Sequence, residues 1–262
     1  MLRAGIFLDV ENLVRCGGWG IRFRAVRQLV EAQGAIVVRA NAYMAADRRR
    51  ELEDPEYRIK KAEYRDAVRR EGFHLCLREV RRYEDEEGRS HTRADLDLDL
   101  AVDAMLQAEN LDYLLIGSGD GNLVRLVQGL QSRGRRVDLL SFANTSARLR
   151  CEVDNHFSGF LYPGILPEER DDVERLRGVM HHVIEDKGFG FLTVQTGLGA
   201  SECRDDVFLH INDFEKDDGL PPSNEEFAAM KRRHTIIEFD LVKQEHGKFK
   251  AVEACEFVPP AW

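Results

Sequence analysis

The chain has 262 residues, a mass of 30.0 kDa and a formal charge of -9, with 43% apolar and 32% charged residues. That composition allows one large domain or two modest ones with real cores. It excludes a basic protein that simply coats nucleic acid, but leaves room for a nucleic-acid enzyme with local basic patches.

No uninterrupted apolar run approaches the roughly 20 residues of a spanning helix, so no membrane role is expected. The opening MLRAGIFLDV places an acid at position 9 and lacks the apolar length and small-residue cleavage site of a signal peptide. Cysteines at 16, 76, 151, 203 and 255 are odd in number, widely spaced and without CxxC pairing. That pattern argues against zinc clusters and disulfide scaffolds and for a reducing cytoplasm.

Residues 4–8 form a short apolar run that ends at Asp9. Residues 23–31 set Phe23, Val26, Leu29 and Val30 on one side of a helix. A β-branched strand begins at 36–38 and extends toward Tyr43, and 56–70 is a charged helix anchored by Ile59, Ala62 and Ala67. A strand at 73–77, a helix at 95–107, a buried strand at 113–116, a helix at 123–130, a strand at 137–141 and a helix at 146–153 follow. This alternation predicts an α/β sandwich on a mostly parallel sheet, whose ligands sit beyond the carboxyl ends of the strands.

Pro163, Gly164 and Pro167 then run into Glu168, Glu169, Arg170, Asp171 and Asp172, which reads as a linker. The expected division is 1–163, a linker at 164–172, and a second domain at 173–262. Short strands at 176–183, 190–194, 206–210, 235–239 and 249–255, with a helical stretch near 223–231, suggest a small closed barrel. Residues 173–262 carry 11 basic and 17 acidic side chains, against 26 of each in 1–167.

The chemistry of the first half lies in its carboxylates. Asp9 ends one strand in FLDVEN, and Asp120 follows another in YLLIGSGDGN, so both reach one sheet edge if the strands run the same way. Asp95, Asp97 and Asp99 precede the helix LAVDAM and cannot all share one helical face, so at least one should point inward. Asp99 and Asp103 are one turn apart. Converging carboxylates repel unless a cation neutralises them, and hard oxygen ligands favour magnesium or manganese. Such an ion lowers the pKa of bound water and clamps a phosphate, which suits phosphodiester hydrolysis. The segment Gly117 to Gly121 could instead be a phosphate nest, but it is neither a Walker A loop nor GxGxxG. Arg48, Arg49, Arg50, Arg58, Lys60, Lys61, Arg78, Arg81, Arg82, Arg89 and Arg93 surround the acids in sequence, and some should line a groove that tracks a phosphate backbone. The polar stretch 81–92 reads as a mobile loop beside the site.

FLDVENL at 7–13, ADLDLDLAVDAM at 94–105 and LLIGSGDGNLVRLVQGLQSRGRRVDLLSF at 114–142 make residues 3–160 resemble an NYN domain, a branch of the PIN-like metal-dependent ribonucleases. Ser146, Leu149, Asp154 and Phe157 resemble its closing strand region. The resemblance implies that Asp9, Asp97 and Asp120 bind a divalent metal and that Asn12 orients substrate or water. It departs from the family at Asn122, where a second acid is usual; an amide oxygen can ligate or hydrogen-bond but brings no charge. Asp95 or Asp99 could compensate, with Asp103 and Asp154 as outer members.

In KGFGFL at 187–192, Phe189 and Phe191 alternate onto one strand face, and DVFLH at 206–210 does the same with Phe208 and His210. Four rings on one sheet face form a stacking platform for unpaired bases, while Val207 and Leu209 fill the core side. With IIEFD at 236–240 and FKAVEA at 249–254, this half resembles a cold-shock domain, an OB-type barrel. That resemblance implies nucleic-acid contacts by Lys187, Phe189, Phe191, Phe208 and His210, with His182 where a stacking tryptophan is usual.

The expectation is a cytoplasmic, Mg2+- or Mn2+-dependent ribonuclease whose barrel captures single-stranded RNA, with structured RNA and single-stranded DNA left open. The alternatives are a non-catalytic RNA-binding regulator that keeps the nuclease fold, and a phosphatase or nucleotide-binding enzyme. No serine, histidine or cysteine constellation points to a covalent route.

Overall fold

The computed structural model describes residues 1–84, 90–93, 95–167, 175–216, 219–244 and 247–259, with backbone alone at 81–84 and 90–93. They form two compact units, 1–159 and 160–261. Of the expected linker, residues 164–166 are turns and bends of the second unit, 167 is irregular, and 168–172 lies outside the described residues.

The first unit runs β1 (Leu2–Asp9), α1 (Val10–Arg15), α2 (Phe23–Ala32), β2 (Ala35–Ala46), α3 (Arg48–Glu53), α4 (Pro55–Arg70), β3 (His74–Glu79), β4 (Arg81–Glu84), β5 (Ser90–Arg93), α5 (Leu96–Gln107), β6 (Tyr113–Gly117), α6 (Val124–Gln131), β7 (Arg136–Ser141), α7 (Ala147–Glu152) and β8 (Asn155–Ser158). Six strands form one sheet in the order β3-β2-β1-β6-β7-β8. Every pairing in it is parallel. Parallel strands covered on both faces read as continuous apolar runs. The central strands fit: β6 is buried from end to end, and β1 is buried from Ala4 onward. On one face, Leu96, Leu100 and Ala104 recur at helical spacing along α5 and pack with Phe7, Tyr43, Leu114 and Ile116. Each such leucine, isoleucine or phenylalanine removed from water is worth about 1.5–3 kcal/mol, so α5 and the ends of β1 and β6 are held firmly to one another.

Two short helices escape a periodicity reading because six residues carry less than two turns. Each is marked by an aspartate cap: Asp9 accepts the Asn12 N–H, and Asp47 accepts the Arg50 N–H. The expected loop at 81–92 is instead an antiparallel ribbon of β4 and β5, with residues 85–89 outside the described set. A two-stranded ribbon need not bury a face in the core, so no alternating apolar pattern announced it.

The second unit contains β9 (Leu176–Ile184), β10 (Phe189–Gln195), β11 (Cys203–His210), α8 (Asn224–Arg233), β12 (Ile236–Lys243) and β13 (Phe249–Glu256). The strands close into a barrel ordered β10-β11-β13-β12-β9, with β11 and β13 parallel and the other pairs antiparallel. Met180, Leu192, Val207, Leu209, Ile237 and Phe239 fill its interior with Phe227 of α8. A capping box between Ser223 and Glu226 starts α8. Gly190 is required by close approach: a Cβ there would lie 2.6 Å from the His182 carbonyl oxygen on the paired strand. Among the described residues, no helix is long and apolar enough to cross a membrane.

Candidate functional site

β1 and β6 run side by side with Leu8 opposite Gly117, so Asp9 and the turn carrying Asp120 leave the sheet at the same edge. The two segments are tied directly. The buried Asn12 amide oxygen accepts the Gly119 N–H at 2.8 Å, while its own N–H donates to Asp9 at 3.0 Å. Ser118 Oγ accepts the Asp120 N–H at 3.2 Å, and Asp120 accepts the Asn122 N–H at 2.9 Å. The turn is pressed against its surroundings: a Cβ on Gly117 would lie 2.4 Å from Leu8 Cδ2. None of Gly117, Gly119 and Gly121 has a positive φ. A nest alternates the hand of successive residues, so these glycines serve close packing and the phosphate-nest alternative gains no support.

Asn12 is therefore a positioning residue whose carbonyl is committed to the protein. Asn12→Ala strands a buried N–H and should cost about 1–3 kcal/mol, read as a lowered urea midpoint with an unchanged slope.

The edge opens on a cleft of about 640 Å3 lined by Asp9, Glu11, Asp95, Asp97, Asp120 and Asn122, together with Arg15, Asp47, Arg50, Tyr57 and Lys61. Asp95 is the N-cap of α5 without a side-chain capping bond, and Asp97 lies in the first turn. Asp99 does not line the cleft and pairs with Arg78 at 3.4 Å. Asp103 accepts the Tyr43 hydroxyl at 2.9 Å, next to Cys76. Asp154 accepts the N–H of Val137 at 2.6 Å, near the start of β7, which is the opposite edge of the sheet. Of these four acids, Asp95 lines the cleft, whereas Asp99, Asp103 and Asp154 are tied up elsewhere.

Burial pushes the Asp9 carboxyl up to about 6, with Glu11 and Asp97 adding to the rise and the Asn12 N–H and Arg15 opposing it. A carboxyl whose folded-state pKa is raised favours the fold while protonated and loses that advantage as pH climbs past its unfolded value through 6. In chelator-treated protein, Asp9→Asn should accordingly be more stable than the native chain at pH 8, by up to about 3 kcal/mol, and no more stable below pH 4. Thermal melts across that range check the sign.

All-oxygen donors, one of them a carboxyl whose charge burial opposes, are chemically suited to a hard divalent cation. Among the described residues, however, no three His, Cys, Asp or Glu side chains are grouped so as to hold a metal ion.

Of the basic residues singled out in sequence, Arg50 and Lys61 line the cleft. Arg48, Arg49, Lys60 and Arg78 make surface ion pairs with Glu79, Glu53, Glu56 and Asp99. Arg58 is exposed, and the side chains of Arg81, Arg82, Arg89 and Arg93 lie outside the described set. Arg15 and Tyr57 carry no sequence signal: Arg15 sits on the short α1, and Tyr57 sits in a charged helix. Glu11 fastens α1 to β2 by accepting the Ala45 N–H at 3.1 Å. A serine–histidine contact does exist: Ser141 Oγ lies 2.7 Å from His156 Nε2. Ser141 is 1% exposed, closed to substrate, and joins β7 to β8.

In the barrel, Phe189 is paired with His210, and Phe191 with Phe208 on one side and His182 on the other. Ring centroids of Phe189 and Phe208 lie 5.3 Å apart, those of Phe191 and Phe208 6.0 Å, and those of Phe208 and His210 6.4 Å. These rings are half-buried, while Leu192, Val207 and Leu209 point inward. A register shift after Phe191 brings His181 and His182 within 6.5 and 6.4 Å of its ring. His181 also contacts Thr193, which donates to Asp205. Lys187 is exposed just ahead of Phe189.

A wholly parallel α/β sheet with acids gathered at its carboxyl edge, followed by a closed five-stranded barrel, is the architecture of this chain. The NYN domain model matches residues 3–161, and the chain belongs to that family. It is 26% identical over 160 residues to the Low amplitude and bright protein LabA of Synechococcus elongatus, covering 59% of this chain and 82% of that protein. It also resembles a solved structure, a Vibrio parahaemolyticus protein of unknown function, at 24% identity and a TM-score of 0.49 over 60% of this chain and 92% of the other. Membership of this PIN-like nuclease family supports an RNA-related function.

Proposed function

We propose that the protein is a divalent-metal-dependent ribonuclease, acting in the cytoplasm, whose first unit hydrolyses RNA phosphodiester bonds and whose second unit is a cold-shock barrel that captures single-stranded RNA. The observation that carries this reading is the meeting of Asp9, Asp97 and Asp120, distant along the chain, around one cleft at the carboxyl edge of the sheet. These three would hold Mg2+ or Mn2+, with Asp95 as a further oxygen donor. Such an ion would supply an activated water and offset the negative charge on the phosphoryl and leaving-group oxygens. Asn12 keeps the Asp9 and Asp120 segments in register, and the exposed Asn122 amide is placed to hydrogen-bond substrate or water. The rings of Phe189, Phe191, Phe208, His210 and His182 offer faces to unpaired bases, with Lys187 for a phosphate.

A second reading, an RNA binder without turnover, is favoured by Asn122 standing at the cleft where an acid is usual, and by the spread of the carboxylates. Incubation of a single-stranded RNA with the intact chain separates the two. The nuclease reading expects cleavage that needs manganese or magnesium, stops with chelator and is absent in Asp120→Ala. Binding without cleavage under all these conditions would leave the regulator.

A further inference from the structure

We propose that Arg50, Tyr57 and Lys61 form the wall that grips the RNA strand beside the reacting phosphodiester, so that the cleft takes a polynucleotide with a neighbouring phosphate and base, not an isolated phosphate ester. This rests on the nuclease reading above and names the part of its substrate that the acids cannot hold. The cleft presents Asp9, Glu11, Asp47, Asp95, Asp97 and Asp120, a set that repels a polyanion until it is counterbalanced.

The counterbalance is local. The Arg50 guanidinium carbon lies 4.2 Å from the Tyr57 ring centre, and the Lys61 ammonium lies 5.6 Å from it. Neither cation makes an ion pair with a described carboxylate, whereas their chain neighbours Arg49 and Lys60 pair with Glu53 at 2.8 Å and Glu56 at 2.6 Å. Two cations gathered on one half-buried aromatic ring in an acid-lined cleft can hold a phosphate, and the part of the ring they leave uncovered is apolar contact for a base.

The wall is preset by the fold. Asp47 accepts the Arg50 N–H at 3.1 Å and starts α3, and Asp54 accepts the Tyr57 N–H at 3.0 Å and starts α4. Arg65 grips Glu51 through two bonds of 3.1 and 2.7 Å, with side chains only 12% and 18% exposed, and so clamps the two helices together. Little ordering is left to be done when the strand arrives. The hairpin of α3 and α4 leaves β2, on the opposite side of β1 from β6, so the wall and Asp120 flank Asp9 from two directions.

The test uses the full chain and a short oligouridylate, with kcat and KM measured over a salt series. Arg50→Ala/Lys61→Ala should raise KM about tenfold at moderate salt and flatten the log–log salt dependence by about 1.4, the value for two lost single-strand phosphate contacts. Most of the loss should fall in KM. Tyr57→Leu should also raise KM, and Tyr57→Phe should restore it, since the ring and not the hydroxyl carries the contact. Arg49→Ala/Lys60→Ala removes the same charge from the same helices and should change KM less than about twofold. The inference is overturned if the native chain cuts and Arg50→Ala/Lys61→Ala keeps the native salt slope, or if the control pair loses as much. Should the native chain fail to cut at all, the nuclease reading falls. Anisotropy of the same labelled oligomer then decides the strand contact by the same comparison of slopes.

Discussion

An Asp97→Ala chain should cut single-stranded RNA at least about a thousandfold more slowly than the native chain, while melting within about 4 °C of it. The separation of the two effects follows from where Asp97 sits. It is neither the cap of α5 nor part of the core; Leu96 and Leu100 on either side of it are the buried anchors. Losing a carboxylate from the first turn of a helix costs about 0.3–1 kcal/mol through the helix dipole. Its removal also relieves the repulsion that helps raise the Asp9 carboxyl. Catalysis has no such compensation. Metal-assisted hydrolysis draws several kcal/mol from the ion, and a cation held by three acids is bound far less well by two. Asp97→Asn should be nearly as inactive, because an amide keeps the shape and one oxygen but not the charge. Single-turnover rates with saturating manganese, beside a thermal melt, read both quantities.

Phe191→Ala/Phe208→Ala should bind a short single-stranded RNA about a hundredfold more weakly. Stacking of one base on an aromatic ring is worth about 1–3 kcal/mol, and two rings in mutual contact do not add fully. The barrel should survive, since both rings lie on the half-buried outer face and the interior is closed by Leu192, Val207 and Leu209. Stacking involves no counterion release, so the salt slope of binding should stay close to the native one. Lys187→Ala should show the reverse pattern, a smaller loss of affinity with a slope reduced by about 0.7. Fluorescence anisotropy at several salt concentrations separates the two. Unchanged affinity in the phenylalanine double variant would mean that the platform is surface packing alone.

The sequence carried much of the architecture for a physical reason. Buried parallel strands such as β1 and β6 print as unbroken apolar runs, and the helices between them print their buried faces at 3.6-residue spacing. Asp9 and Asp120 could be placed together because each follows such a run, and in-register parallel strands end on one edge. Spacing alone could not resolve the trio 95, 97 and 99, from which only the family resemblance singled out Asp97. Only the observed first turn sends Asp95 and Asp97 to the cleft and Asp99 to Arg78. Arg15 and Tyr57 were out of reach, because one rides a six-residue helix and the other is a single aromatic ring in a charged surface helix. The barrel's outer face was the easier case. Period-two alternation in two segments put Phe189, Phe191, Phe208 and His210 on one side, and the strand register sets them opposite each other.

Whether Asp9, Asp97 and Asp120 share a cation is best decided by diffraction from crystals of the full chain soaked in manganese, with data collected to show its anomalous signal. The nuclease reading predicts a peak in the cleft within ligand distance of these three carboxylates, and its absence in crystals of Asp9→Ala. Well-ordered crystals of an RNA-cleaving preparation with no peak there, or with manganese held only by other residues, would contradict it.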